Sequence, residues 1–250
     1  EYLRNDAAQT RVHDVTTSEA SMTLRYAPGE SFVNSKQRRV PVSLDAPVFT
    51  LTHAMGFKGV LGGEYNFNRT EASIWKRFWL PASWGKIDCS VKAGAEWNTV
   101  PFPLLILPEA NLSYITQRET FCLINNMEFL NDRFASMSIS YDMNGKLFNR
   151  IPLLKNLKWR EMFRVRALWG TLTDKNNPFK SSNPDLFRFP TRDGKFTSFV
   201  MDPKVPYVEA SVGIYNIFKL LHVEYVHRFT YRDNPGINKN GIRFMVLMVF

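Results

Sequence analysis

No stretch of this 250-residue chain approaches 18 consecutive apolar residues, which excludes a membrane-spanning helix. Cysteine is scarce. Cys89 and Cys122 are the only two, too few for a disulfide framework and without zinc-site spacing. They fall on segments that can be neighbours, so a single bridge stays open. Of the four histidines, His13 and His53 have no partners nearby in sequence. His222 and His227 lie an odd number of residues apart in an extended segment, so they face opposite ways and cannot share a metal. The chain has no nucleophile elbow, no phosphate-binding loop and no dinucleotide fingerprint. Gly62-Gly63 follows Leu61 in an extended stretch and leads to no helix. No cofactor and no catalytic or metal-binding residue is expected. The first residues, Glu1-Tyr2-Leu3-Arg4, lack a basic and apolar signal core and read as a processed terminus or a cut inside a longer protein. The net charge of +9 is spread along the chain, with one short cluster at Lys36-Gln37-Arg38-Arg39. A nucleic-acid protein concentrates its charge on one face, so no nucleic-acid partner is expected.

What the chain has is alternation. In 219–231 (KLLHVEYVHRFTY), Leu221, Val223, Tyr225, Phe229 and Tyr231 fall on one face, and His222, Glu224, Arg228 and Thr230 on the other. Soluble strands usually run about five or six residues, whereas a tilted strand crossing a bilayer needs roughly 9–11. Similar segments recur at 19–26, 48–54, 61–68, 71–80, 86–97, 119–129, 132–144, 158–170, 206–215 and 241–250, about ten or eleven strands in all. Aromatics make up 14% of the chain, and mean hydropathy is slightly negative. Both suit a barrel, in which half of each strand faces a polar interior and aromatic girdles mark the interfaces. The fold expected is all-β, a transmembrane antiparallel β-barrel occupying 1–250 as a single domain. It reads as the C-terminal part of a larger barrel, located in the cell outer membrane. The closing GIRFMVLMVF ends on Phe250, and a terminal aromatic after alternating apolar residues is the assembly signal of bacterial outer-membrane barrels.

The polar faces carry both signs: Arg25, Lys92 and Arg243 among the cations, and Glu64, Asp88, Glu96, Glu128 and Asp142 among the acids. Arg160, Arg164, Arg166, Glu209, Glu224 and Arg228 are expected to form a lumenal charge network. Glu209 and Glu224 on adjacent strands are the best candidate for paired catalytic carboxylates, but the arginines opposite them make ion pairs the better reading. Mixed charge favours a plugged or narrow lumen over a wide pore.

If the last strand descends to the periplasm, 171–205 and 232–240 lie outside the cell, and 145–157 and 216–218 are periplasmic. The stretch 98–118 (NTVPFPLLILPEANLSYITQR) would be periplasmic too. Pro101, Pro103 and Pro108 forbid an ordinary helix or strand there. Exposed in water its apolar run is costly, so Phe102, Leu104, Leu105, Ile106 and Leu107 are expected against the barrel rim, the lumen or a protein partner. The segment GKLFNRIPLLKNL at 145–157 reads as an amphipathic piece at the membrane interface.

Several strings resemble a known family: LRYAPGE (24–30), LDAPVFTLTH (44–53), GVLGGEYNFNRTEASIWKRFW (59–79), PFPLLILPEANLSY (101–114), MEFLNDRF (127–134), FNRIPLLKNLKWRE (148–161), LTDKNNP (172–178) and GIYNIFKLLHVEYVHRFTY (213–231). They look like the C-terminal half of a Bacteroidota outer-membrane family, in which a domain of unknown function follows a carboxypeptidase-regulatory-like domain. The resemblance implies an outer-membrane barrel with further strands and a small β-sandwich upstream. It transfers no catalytic residue. The layout is also distantly similar to outer-membrane assembly and secretion barrels. Their arginine-glycine lid-loop signature is absent, and EFLNDRF stands roughly in its place, so insertase or secretion activity does not carry over.

The expected function is a non-enzymatic outer-membrane barrel in an envelope biogenesis or transport complex. Its partners are outer-membrane lipid and other outer-membrane or periplasmic proteins. The alternatives are a barrel that binds or conducts solutes or glycans, and a soluble secreted all-β enzyme or adhesin. The last predicts that Trp159, Phe163, Tyr225 and Phe229 are buried by a second sheet.

Overall fold

A computed structural model describes residues 2–34, 36, 39–115, 117, 119–192 and 194–246. Nine strands form one antiparallel sheet: β1 (Glu19–Tyr26), β2 (Val48–Gly56), β3 (Phe67–Trp79), β4 (Lys86–Glu96), β5 (Arg133–Asp142), β6 (Arg160–Thr171), β7 (Tyr207–Ile217), β8 (Leu221–Arg228) and β9 (Asn240–Val246). Each pairs with its sequence neighbour, so the sheet is a continuous meander. Among the described residues β1 and β9 are not paired with each other, and the sheet is open. The assembly-signal reading of Phe250 lies outside the described residues.

The expected strands at 61–68 and 119–129 are not part of this sheet. Residues 57–66 form a turn in which Leu61 (φ 46°) and Gly62 (φ 85°) are left-handed, and one long strand begins only at Phe67. In 119–129 the apparent alternation is replaced by burial of four successive residues, Phe121, Cys122, Leu123 and Ile124. The Cys122 and Leu123 amides bond the Glu209 side chain, and the Phe121 amide donates to the Glu109 carbonyl within the same segment. Losing that strand reverses the end of the sheet at which 98–118 lies. The connections 97–132, 172–206 and 229–239 all emerge at the same end as the 57–66 turn, and 80–85, 143–159 and 218–220 at the other.

The two faces of the sheet differ in chemistry. Tyr26, Phe49, Ile74, Val91, Met137, Ala167 and Val208 form one cross-strand row on the outer face. Phe78, Ile87, Tyr141, Phe163, Val212, Tyr225 and Ile242 form another. Most of these residues are exposed, Phe49 38%, Ile74 47%, Val212 47% and Tyr225 47%, while Ala167 is buried. The inner face has the row Trp75, Ser90, Ser138, Arg166, Glu209, Arg228. A second inner row runs Arg77, Asp88, Ser140, Arg164, Ser211, Val226. Charge is buried and aliphatic surface is exposed, the inverse of a water-soluble sheet.

The apolar clusters sit on the inner side near the long loops. One gathers Phe67, Val100, Phe102, Leu105, Leu130, Leu172, Phe187 and Phe189, and the other Phe121, Ile124, Phe129, Leu168, Met201 and Tyr207. At the opposite end Gly85 closes the β3–β4 turn with φ 90°, and a Cβ there would lie 1.8 Å from the Asp142 carbonyl oxygen. Gly85→Ala is therefore expected to lower stability by about 2 kcal/mol or more, read as a fall in the urea midpoint. Gly59→Ala shares the positive φ but meets nothing within 4 Å, and is expected to cost only about 1 kcal/mol.

Candidate functional site

The inner face is closed over β6–β9 by the 97–132 segment, and two buried charges fix it there. Glu209 accepts the backbone N–H of Cys122 at 2.9 Å and of Leu123 at 3.1 Å, the Tyr207 hydroxyl at 2.9 Å and Arg166 Nη1 at 2.9 Å. Arg228 donates Nη2 to Glu128 Oε1 at 2.6 Å and Nη1 to Glu128 Oε2 at 3.0 Å. It also donates to the carbonyls of Leu123, Thr230 and Tyr231. All five N–H groups of its guanidinium are thus used. Its plane lies 4.8 Å from the centre of the Tyr207 ring. Arg228 and Glu209 are both 0% exposed, and Glu128 1%.

A second joint binds the two long loops together. Asp132, also fully buried, accepts the Thr173 amide and hydroxyl and Asn176 Nδ2, while Asn176 Oδ1 accepts the Val100 amide at 2.8 Å. Neither Asp132 nor Asn176 was marked by the sequence. Polar residues inside loops lack the period that would single them out.

The expected charge network is largely brought together. Glu224 accepts Arg164 Nη1 at 3.0 Å and the Ser211 hydroxyl, with His222 Nε2 at 3.4 Å. Arg160 stands apart: it is exposed and lies over the Tyr215 ring near the end of the strand. Glu209 and Glu224 both face inward, but each carboxylate is held by an arginine and by further donors, as an ion-pair reading requires. Of the run expected against the rim, the lumen or a partner, Phe102, Leu105 and Ile106 are buried within the chain itself on the inner side. Leu104 is half-buried and Leu107 is 36% exposed. The three prolines keep this run irregular, and it satisfies its apolar side chains on the inner face of its own sheet. No disulfide forms. Cys89 shares an outer row with Ile139, and Cys122 belongs to the 97–132 segment that plugs the inner side. His227 packs on Phe229 on the outer side, away from His222. Among the described residues no group of His, Cys, Asp and Glu is placed to hold a metal.

Between the inner face, chiefly of β2–β6, and the 97–132 plug lies a cavity of about 780 Å³. Its floor is a ladder of small hydroxyls, Thr50, Ser73, Ser90, Ser136, Ser138 and Ser140, and Ile106, Leu107, Pro108 and Phe121 of the plug form its roof. Arg77 pairs with Asp88 at 2.6 Å, Lys86 with Asp142 at 3.7 Å, and Lys92 with Glu109 of the plug. The inner face is therefore half filled by protein and half open, with most of its charges paired.

These features define the class: an all-β protein built on a large antiparallel meander, with a polar inner face that its own loop plugs. A family profile, the C-terminal domain of a family of unknown function (DUF5686), matches residues 2–179. The chain belongs to that family. No curated protein matches it.

Burial pushes the Cys122 thiol up, with the Arg166 guanidinium opposing. Cys122 is 1% exposed, so a polar maleimide is expected to react with it very slowly at neutral pH. Glu209→Ala removes the acceptor for the Cys122 and Leu123 amides and strands Arg166. It is expected to cost about 3–5 kcal/mol and to speed Cys122 labelling by at least tenfold. Equal labelling rates in the two proteins would show that Glu209 does not hold the plug.

Proposed function

We propose that this chain is the membrane-spanning part of a non-enzymatic outer-membrane β-barrel, its nine strands forming part of a larger closed barrel. One observation carries this reading: the outer face is mostly apolar and, among the described residues, largely exposed, and the inner face buries paired charge. In water such a face is costly; in hydrocarbon it is the required one. Six of the nine strands, with 9–13 residues each, reach the roughly 9–11 needed to cross, while β1, β8 and the described part of β9 have 8, 8 and 7. Exposed aromatics lie towards the two ends of the outer face, with Trp97, Trp169 and Phe229 at the long-loop end and Tyr26, Phe78 and Trp84 at the other. That placement fits interfacial girdles. The soluble enzyme or adhesin is weakened by the same surface, since Phe163, Tyr225 and Phe229 are all at least 40% exposed.

Within that class the barrel works in envelope biogenesis or transport, as a subunit of a complex. The plug tied down by Glu209 and Arg228 supports a role other than free diffusion of solutes. A second reading, a barrel that binds or admits a solute or glycan, is favoured by the hydroxyl-lined cavity. The short-turn end is periplasmic in both. Gentle detergent extraction of the native protein, with mass spectrometry of what co-purifies, separates them. Recovery with an assembly or secretion subunit favours the first, and recovery alone with conductance in planar bilayers the second. Release from the membrane without detergent removes both.

The lipid-facing claim has its own test. Val165 is 42% exposed on the outer face between Ile139 and Ala210. Val165→Arg on a water-exposed sheet would change stability by less than about 0.5 kcal/mol. Facing the mid-bilayer it is expected to cost about 2–4 kcal/mol, measured by urea unfolding from vesicles.

A further inference from the structure

At the short-turn end the chain holds an apolar and cationic wedge that neither the sheet nor the plug uses. Residues 143–159 fold into a short turn of helix at Phe148–Arg150 and the helix α1 (Pro152–Leu157), with Pro152 at its start and left-handed Lys158 (φ 54°) ending it. The segment is fixed to the sheet. Glu161 Oε1 accepts the amides of Leu147 and Phe148 at 2.6 and 2.7 Å, and Asn216 Nδ2 donates to the Lys158 carbonyl at 2.7 Å. Yet its leucines are uncovered. Leu153 and Leu157, one helical turn apart on the same face, are 81% and 48% exposed, and Phe218 in the adjoining 218–220 turn is 87% exposed.

The charge around these apolar groups has one sign. Lys146, Arg150, Lys155, Lys158 and Lys219 lie in 143–159 and 218–220, and those segments contain no Asp or Glu. The wedge is also continuous with the rim of the outer face: Lys146 Nζ lies 5.1 Å from the centre of the Trp84 ring and bonds the Ala82 carbonyl, while the Tyr141 hydroxyl bonds the Trp84 carbonyl. An acidic protein partner would meet the cations but would leave the continuity with the apolar belt unused. A layer with phosphates above and acyl chains below meets both.

We propose that 146–158 and the 218–220 turn lie in the headgroup layer of the bilayer whose core the outer face meets. Leu153, Leu157 and Phe218 enter the acyl boundary, and the five cations meet phosphate-bearing headgroups. This rests on the membrane reading above and extends it to an anchor recognising anionic lipid on the short-turn side.

The test uses the full chain folded into vesicles, with Cys89→Ala and Cys122→Ser and one spin label at Leu153→Cys or at Ile74→Cys on the outer face. Both host positions are exposed, so folding is expected to survive. Vesicles are phosphatidylcholine alone or mixed with phosphatidylglycerol. The expected result is that both labels are reached by oxygen and shielded from a water-soluble nickel chelate. Shielding at 153 should strengthen with phosphatidylglycerol, and the triple variant Arg150→Gln, Lys155→Gln, Lys158→Gln should abolish that dependence. A shielded label at 74 with a label at 153 open to the chelate in both vesicles overturns the wedge and leaves the barrel standing. Shielding at 153 only after membrane-protein extract is added overturns it in favour of a protein partner. A label at 74 open to the chelate removes the membrane reading and the wedge together.

Discussion

The inner side of this protein depends on two buried charges on β7 and β8. Glu209 and Arg228 sit in register with each other, yet each reaches mainly into the 97–132 segment. A buried charge is tolerated only when it is paired and fully hydrogen-bonded. Glu209 meets that need by collecting two backbone amides of an irregular segment, which would otherwise carry unsatisfied donors into the interior. Arg228 does the converse, taking up carbonyls that no strand receives. Each removes the other's difficulty. That exchange lets a proline-broken loop lie against a sheet without becoming a strand.

The same exchange sorts the two faces. Inner residues can be charged because the plug supplies counter-groups, and where the plug stands clear of the sheet small serines leave space instead. Outer residues are mostly apolar, interrupted by His53, Thr70, Lys76, Arg133 and His227, of which His53 bonds Thr70 and Lys76 Nζ donates to the Asp45 carbonyl.

Much of the sheet was legible because period two is a strong signal. The segments at 19–26, 86–97, 132–144, 158–170 and 219–231 became strands within a few residues. The grouping of Arg164, Arg166, Glu209, Glu224 and Arg228 followed from the same register. Illegible were the places where side chains, not neighbouring strands, satisfy the backbone. Around 119–129 alternating Phe121, Leu123, Met127 and Phe129 imitate a strand, but the Cys122 and Leu123 amides bond Glu209, and Met127 is left-handed (φ 58°). Sequence pattern reports periodicity and is silent on which acceptor an amide finds. The error carried over into topology, because the false strand at 119–129 moves 80–85 and 98–118 to the wrong end until the second false strand, at 61–68, restores the alternation.

The open edges set the remaining constraint. All eight residues of β1 are exposed, and β9 is contacted on its free side by the plug, where the Phe244 amide donates to the Tyr114 carbonyl at 2.7 Å. Hydrocarbon tolerates no unpaired strand edge. If the outer face meets lipid, both edges must find partners beyond these nine strands. Bacterial single-chain barrels have even strand numbers, so closure on that pattern requires an odd number of additional strands. A strand arriving at β9 must then share that edge with Tyr114 and Ile115 or displace them, which couples closure of the wall to the seating of the plug.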